Sequence, residues 1–167
     1  GDILINDALG REVVLPDAPQ RIIITGKGLI MVADAVYAFP GTVDKIIGLG
    51  NATQGAVNFL QMLDPGFTEK ATLTNEATAE QIAALSPDLL ILKSSVAERM
   101  GSSLDELGIP VVYVDFETPD QYARDLAILG QLFENEARAN ELIAFYQDTV
   151  DEISTTVAEA AKPRVLI

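Results

Sequence analysis

The chain has 167 residues, with 11 Lys and Arg against 25 Asp and Glu, and a formal net charge of −14. This acidic surplus argues against nucleic acid or an anionic membrane as a partner, because both require a basic surface. His and Cys are absent. The composition therefore excludes Ser-His-Asp and Cys-His catalysis, imidazole metal sites, disulfides and thiolate ligands.

The predicted elements alternate between strands and helices along the chain. Residues 3–5 and 12–15 form an N-terminal hairpin, and short continuous apolar runs follow, as in strands buried on both faces. These predicted strands cover residues 21–25, 45–49, 88–92 and 110–114. The predicted helices cover residues 29–39, 56–63, 78–85, 96–107 and 118–133. Such alternation predicts an α/β fold with a parallel sheet and helices on both of its faces.

A long helix is predicted at the end of the chain. No Gly or Pro interrupts residues 135–161, and an apolar stripe runs along one face of this segment. The stripe consists of Leu142, Tyr146, Thr149, Ile153 and Val157. At 1.5 Å per residue the helix is about 39 Å long, which exceeds the width of a small α/β layer. Lys162 and Pro163 end it, and residues 164–167 (RVLI) predict the start of another strand.

Three features together resemble a known family. They are the segments 7–13 (DALGREV) and 19–22 (PQRI), the segment 79–91 (AEQIAALSPDLLI), and the long helix after a short α/β lobe. In this order they resemble the class III, helical-backbone substrate-binding proteins of ABC importers, which carry ferric siderophores, haem and cobalamin. The resemblance implies a Rossmann-like three-layer αβα lobe over residues 1–133 and an interlobe backbone helix over 134–162. Residues 163–167 would then be the first strand of a C-terminal lobe that lies outside this sequence.

The function implied by the resemblance is capture rather than chemistry. We expect a non-enzymatic, extracytoplasmic protein, periplasmic or extracellular, that delivers an iron chelate or a cobalamin-like ligand to ABC permease subunits, without a cofactor. A lipid anchor is left open. Receptors for zinc and manganese in this family use His ligands, so a bare metal ion is not the expected cargo. The alternatives are a Rossmann-like enzyme domain that binds a nucleotide or sugar phosphate, and a flavodoxin-like receiver.

The candidate ligand residues follow the predicted strands, because ligands of open α/β sheets bind beyond the carboxyl ends of the strands. These candidates are Thr25, Gly26, Lys27, Gly28, Asn51, Thr74, Asn75, Lys93 and Ser94. We hypothesise that Lys27 and Lys93 favour an anionic ligand, such as a ferric chelate or an oxoanion complex. The alternative is that both are ordinary exposed lysines at loop ends. Polar residues in these loops are also frequent turn formers.

The glycines around Lys27 do not complete a nucleotide-binding motif. The P-loop pattern needs another Gly before Gly26, and Met31 occupies the third glycine position of G-x-G-x-x-G. We expect Gly26 and Gly28 to form a tight turn with close backbone approach. The backbone N–H groups at the start of the following helix still suit an anion.

Glu80 is the candidate for docking onto a permease. Its spacing to Leu85, Pro87 and Asp88 matches a family Glu that docks onto permease Arg residues. The alternative is a first-turn Glu that suits the helix dipole. The acidic stretch from Asp115 onward is interpreted as a solvated helix face, and Tyr113 and Phe116 as residues of either the core or the cleft.

Overall fold

The computed structural model describes residues 1–51, 58–158 and 160. The strands are β1 (Ile3–Asn6), β2 (Glu12–Leu15), β3 (Ile22–Ile24), β4 (Ile46–Gly50), β5 (Ala71–Leu73), β6 (Leu89–Lys93) and β7 (Val111–Val114). The helices are α1 (Leu29–Tyr37), α2 (Phe59–Leu63), α3 (Ala79–Ala83), α4 (Ala97–Glu106), α5 (Pro119–Leu132) and α6 (Glu136–Val157). Short 3-10 segments lie at Val43–Lys45, Phe67–Glu69 and Ser94–Val96.

The main sheet has five strands in the order β5-β4-β3-β6-β7, and every pair is parallel. β1 and β2 form a separate antiparallel hairpin. The strands of a parallel sheet all begin at one edge and end at the other. We call these the amino edge and the carboxyl edge.

Two hydrophobic cores cover the opposite faces of the sheet. Ile22 and Ile24 of β3 belong to the first core and Ile23 to the second, because successive side chains of a strand point to opposite faces. The first core includes side chains of α1, α5, the beginning of α6 and the hairpin, and the second includes side chains of α3 and α4. The predicted three-layer αβα fold is confirmed.

The structure adds one strand to the prediction. β5 has only three residues, and of these only Leu73 is buried, so its sequence lacks the apolar run that marked the other strands. Within the predicted helix 56–63, the described part forms α2 from Phe59 to Leu63. The predicted strand 164–167 lies outside the described residues, and so does the boundary predicted at 163.

The sequences at 78–81 (TAEQ) and 118–121 (TPDQ) are capping-box patterns, and both boxes form in the structure. The Thr78 backbone N–H donates to Gln81 Oε1 (2.9 Å), and the Gln81 N–H donates to Thr78 Oγ1 (3.4 Å). Thr118 and Gln121 repeat the arrangement at the start of α5, where Pro119 occupies the first helical turn. These boxes satisfy helix N–H groups that have no partner within the helix.

Two of the segments that carried the family resemblance, 19–22 and 79–91, meet at the amino edge. The Asp88 carboxylate accepts hydrogen bonds from the backbone N–H groups of Gln20 (2.7 Å) and Arg21 (2.9 Å). The Arg21 guanidinium in turn donates to the carbonyls of Leu85 and Ser86, each at 2.7 Å. These contacts connect the start of β3 to the start of β6, its neighbour in the sheet.

Helix α6 runs from the amino edge to the carboxyl edge and continues beyond it. Near its start, Arg138 Nε donates to the Ala38 carbonyl (3.0 Å) at the amino-edge end of α1. Farther along, the Tyr146 ring stacks on Tyr122 in the first turn of α5, with 4.5 Å between ring centroids. Since α5 begins at the carboxyl edge, the helix from Tyr146 to Val157 extends about 16 Å past this level.

The two halves of the predicted apolar stripe differ in burial. Leu142, Tyr146 and Thr149 are half-buried, and Leu142 packs on the first core while Tyr146 stacks on Tyr122. Ile153 and Val157 are 57% and 54% exposed. The stripe therefore packs on the lobe only where α6 lies beside it.

Candidate functional site

The candidate site lies at the carboxyl edge, between β3 and β6. These strands are neighbours, but the helices that follow them, α1 and α4, pack on opposite faces of the sheet. The chain segments that leave the two strands therefore diverge and open a crevice. Ligands of open α/β sheets bind at such a switch point.

The turn after β3 is shaped by two glycines. Gly26 and Gly28 have positive φ angles of 90° and 76°, which side chains rarely adopt. A Cβ atom on Gly26 would lie 2.9 Å from Val96 Cγ2, and one on Gly28 would lie 2.9 Å from Lys93 Cδ. The predicted tight turn with close approach is confirmed, and it brings the loop after β3 against the end of β6.

Thr25 carries a buried hydroxyl at the floor of this turn. The residue is 3% exposed, and its Oγ1 atom has no hydrogen-bond partner within the described residues. A Cβ atom on Gly50 would lie 2.9 Å from this oxygen, so the end of β4 also approaches it closely. Most buried hydroxyls are hydrogen-bonded, and an unpartnered one is unusual enough to need an explanation.

The two candidate lysines have different environments. Lys27 is exposed just before α1. Lys93 is 7% exposed, and its ammonium forms an ion pair with Glu117 and lies 4.0 Å from Met31 Sδ. The interpretation of both lysines as exposed loop-end residues is therefore wrong for Lys93.

The loop after β7 supplies acidic residues that the sequence analysis did not place at the site. The Ser94 hydroxyl donates to the Asp115 carboxylate, which also pairs with Arg124 (2.6 Å). Asp125 is fully buried and accepts hydrogen bonds from the backbone N–H groups of Asp115 (2.6 Å) and Phe116 (2.8 Å). The hydrogen bond to Asp125 raises the pKa of the Arg124 guanidinium. Asp115 and Asp125 thus anchor the loop after β7.

This network corrects the interpretation of the acidic stretch as a solvated helix face. The side chains of Asp115 and Asp125 are 13% and 0% exposed. The sequence could have placed Asp115 at the site, because this residue directly follows a buried strand, like the other candidate residues. Tyr113 and Phe116, left undecided between core and cleft, are both buried in the core.

The remaining candidates are distributed along the same edge. Asn51 follows β4 and is exposed, and the rest of its loop, residues 52–57, lies outside the described residues. Thr74 and Asn75 follow β5 and are exposed. Their backbone carbonyls accept hydrogen bonds from Ala77 N–H (3.1 Å) and Arg99 (3.4 Å), so this segment also forms a turn. β5 is the outermost strand on its side, two strands from β3.

Glu80 lies outside the crevice, in the first turn of α3. Its side chain is exposed and borders a groove of about 300 Å³ together with Glu76 and Arg99. A hydrogen bond with the Thr78 hydroxyl and one with its own backbone N–H hold the pKa of the Glu80 carboxyl below its ordinary value. The carboxylate therefore stays ionised and open to solvent.

Among the described residues, no helix is both long and apolar enough to span a membrane. In the same part of the chain, no group of three or more Asp or Glu side chains is placed to hold a metal ion.

A family profile described as periplasmic binding protein matches residues 31–167. The chain belongs to the periplasmic binding protein family. Members of this family are non-enzymatic components of transport systems that work outside the cytoplasm. The enzyme alternative is thereby set aside.

Individual periplasmic binding proteins resemble the chain at lower identity. The iron-uptake system-binding protein of Bacillus subtilis (strain 168) is 27% identical over 117 residues, which cover 65% of this chain and 36% of that protein. A periplasmic solute binding protein from Veillonella parvula DSM 2008 superposes with a TM-score of 0.82 at 23% identity, over 98% of this chain and 50% of that one. The siderophore-binding protein BauB was solved with two acinetobactin molecules and ferric iron. It gives a TM-score of 0.68 at 20% identity, over 98% of this chain and 56% of that one.

These likenesses agree on the fold of a single lobe. The chain spans about half the length of the two solved binding proteins and about a third of the iron-uptake protein. The parallel sheet and its flanking helices are those of a periplasmic binding protein lobe.

Proposed function

We propose that this chain provides one lobe of an extracytoplasmic receptor that captures an anionic iron chelate and delivers it to an ABC permease. The observation that carries the proposal is the position of Lys27 and Lys93 at the β3–β6 switch point of a protein with a net charge of −14. A crevice that concentrates positive charge raises the local concentration of anions. Iron is favoured as the metal because the matched Bacillus protein serves iron uptake and BauB holds a ferric siderophore.

The crevice offers three kinds of group to such a ligand. The lysines supply charge, the unpartnered Thr25 hydroxyl supplies a hydrogen bond, and the start of α1 supplies backbone N–H groups. No acidic side chain lies in the first turn of α1 to compete for those N–H groups. Catecholate or carboxylate oxygens of a ferric chelate are acceptors that suit these donors.

The course of α6 supports a ligand cleft between two lobes. The helix extends past the carboxyl edge, so a second lobe attached beyond it would face the crevice. We assign residues 1–133 to the first lobe, 134–162 to the backbone helix and 163–167 to the first strand of the second lobe. A continuous helix bends less easily than a loop hinge, so we expect only modest closure on binding.

Calorimetric titration of the complete protein tests the ligand class. The panel consists of the trianionic ferric complex of a hexadentate tris-catecholate, the neutral ferric complex of a hexadentate tris-hydroxamate, haem and cyanocobalamin. We expect the trianionic chelate to bind, and the double variant Lys27→Gln/Lys93→Gln to weaken binding and reduce its salt dependence. Lys45→Gln removes one positive charge at the amino edge and should bind like the wild type. Wild-type affinity in the double variant would rule out an anion-selective crevice.

For delivery, we propose that Glu80 docks onto basic residues of the permease. Its exposed, ionised carboxylate fits this role. In a reconstituted transporter, Glu80→Ala should leave chelate affinity unchanged and lower the uptake rate. Glu106→Ala, which removes an exposed carboxylate from the last turn of α4, is the matched control. An unchanged uptake rate in Glu80→Ala would exclude Glu80 from docking.

A further inference from the structure

The Lys93 side chain is held in place across the mouth of the crevice. It leaves the end of β6, and its Cδ atom would lie 2.9 Å from a Cβ atom on Gly28, so the side chain lies directly against the turn after β3. Its ammonium lies 4.0 Å from Met31 Sδ in the first turn of α1. A buried ammonium requires a compensating charge, and Glu117 from the loop after β7 supplies it.

The two partners of this ion pair differ in their freedom to move. The Lys93 side chain is 8% exposed, whereas the Glu117 side chain is 58% exposed. The backbone beneath Glu117 is fixed, because its N–H donates to Gln121 Oε1 (3.0 Å) and Asp125 holds the two preceding residues. Of the two side chains, the carboxylate is therefore the one that can rotate into solvent.

We propose that Glu117 is a built-in counter-ion for Lys93 that an anionic ligand displaces, and that it thereby determines ligand specificity. This inference rests on the proposed capture of an anionic chelate. A ligand with sufficient negative charge near Lys93 replaces the Glu117 carboxylate, which moves into water at small cost. A neutral or weakly anionic ligand leaves the ion pair intact and gains nothing from Lys93.

The same juxtaposition explains how an acidic protein keeps a buried lysine at this edge before ligand arrives. Breaking a pair by leaving one charge buried and alone is unfavourable, whereas exchanging one anion for another is not. Specificity then depends on the competition between Glu117 and the ligand rather than on Lys93 alone.

The test is calorimetric titration of the complete protein with the trianionic tris-catecholate and neutral tris-hydroxamate ferric complexes. Glu117→Gln should raise affinity for the trianionic complex about fivefold and leave affinity for the neutral complex unchanged. In a Lys93→Gln background the same substitution should have no effect. Asp120→Asn, which removes an exposed carboxylate three residues away, controls for a general change in charge.

A second variant guards against a loss of folding. If Glu117→Gln lowers thermal stability too far for titration, Glu117→Asp keeps the charge but places the carboxylate one methylene short of Lys93. It should also raise affinity for the trianionic complex.

The outcomes separate this inference from the proposed function. Equal binding of the trianionic complex by wild type and Glu117→Gln would overturn the counter-ion role alone. A gain of the same size in Asp120→Asn, or a gain that survives Lys93→Gln, would overturn it too. Failure of both the wild type and Glu117→Gln to bind either chelate would overturn the proposed function together with the inference.

Discussion

The two edges of the parallel sheet contain similar carboxylates in different settings. At the amino edge, Asp88 accepts two backbone N–H groups, and Arg21 connects the same two strands. At the carboxyl edge, Asp125 also accepts two backbone N–H groups, and the buried Lys93 forms an ion pair with the exposed Glu117. Both carboxylates join neighbouring segments through backbone hydrogen bonds.

The two edges differ in whether their polar groups have hydrogen-bond or ion-pair partners that are fixed in the fold. The contacts at the amino edge pair its groups with one another. The carboxyl edge contains the unpartnered Thr25 hydroxyl and an ion pair with one exposed member. A buried hydroxyl without a partner lowers stability unless something else binds it. The comparison supports the proposal that the carboxyl edge binds ligand and that the contacts at the amino edge stabilise the fold.

The largest expected loss of stability comes from removing the buried carboxylate at the carboxyl edge, Asp125. Asp125→Ala should lower the free energy of unfolding by about 3 kcal/mol, because it leaves two backbone N–H groups without their acceptor and removes one of the two carboxylates that pair with Arg124. Urea unfolding measures the loss. Asp125→Asn retains one acceptor oxygen and should lose less. A loss below about 1 kcal/mol for Asp125→Ala would show that water replaces the carboxylate.

A smaller effect is expected from the corresponding carboxylate at the amino edge. Asp88 is only half-buried, so water can reach the N–H groups of Gln20 and Arg21 when the carboxylate is removed. Asp88→Ala should therefore lower the free energy of unfolding by about 1.5 kcal/mol and leave chelate affinity unchanged. Asp88→Asn is the conservative control. A reduced chelate affinity would contradict the division between the two edges.

The sequence predicts the fold better than the site. Continuous apolar runs identify β3 and β6 because burial on both faces leaves no polar alternation, and Thr78 and Thr118 identify two helix starts through their capping boxes. β5 is not predicted from the sequence, because a strand of three residues with one buried side chain has no recognisable hydrophobic pattern. The sequence predicts that Lys93 lies at the end of a strand, but its ion pair with Glu117 depends on which strands are neighbours in the sheet. β6 and β7 are neighbours only once the sheet order is known.

The smallest expected effect concerns the Thr25 hydroxyl and has the opposite sign. Thr25→Val replaces an unpartnered buried hydroxyl with a methyl group of similar shape, so the free energy of unfolding should rise by about 1 kcal/mol. Thr42 is the matched control, since it is equally buried but its Oγ1 lies 2.7 Å from the Val36 carbonyl and 2.9 Å from the Phe39 carbonyl. Thr42→Val should lower the free energy of unfolding by about the same amount.

Chelate titration of the same two variants completes the comparison. If the Thr25 hydroxyl binds the ligand, Thr25→Val should be more stable than the wild type and bind the chelate more weakly. Thr42→Val should be less stable and bind the chelate like the wild type. A stabilised Thr25→Val variant with wild-type affinity would show that the hydroxyl does not contact the chelate. The β3 turn would then contribute only its backbone and Lys27 to the crevice.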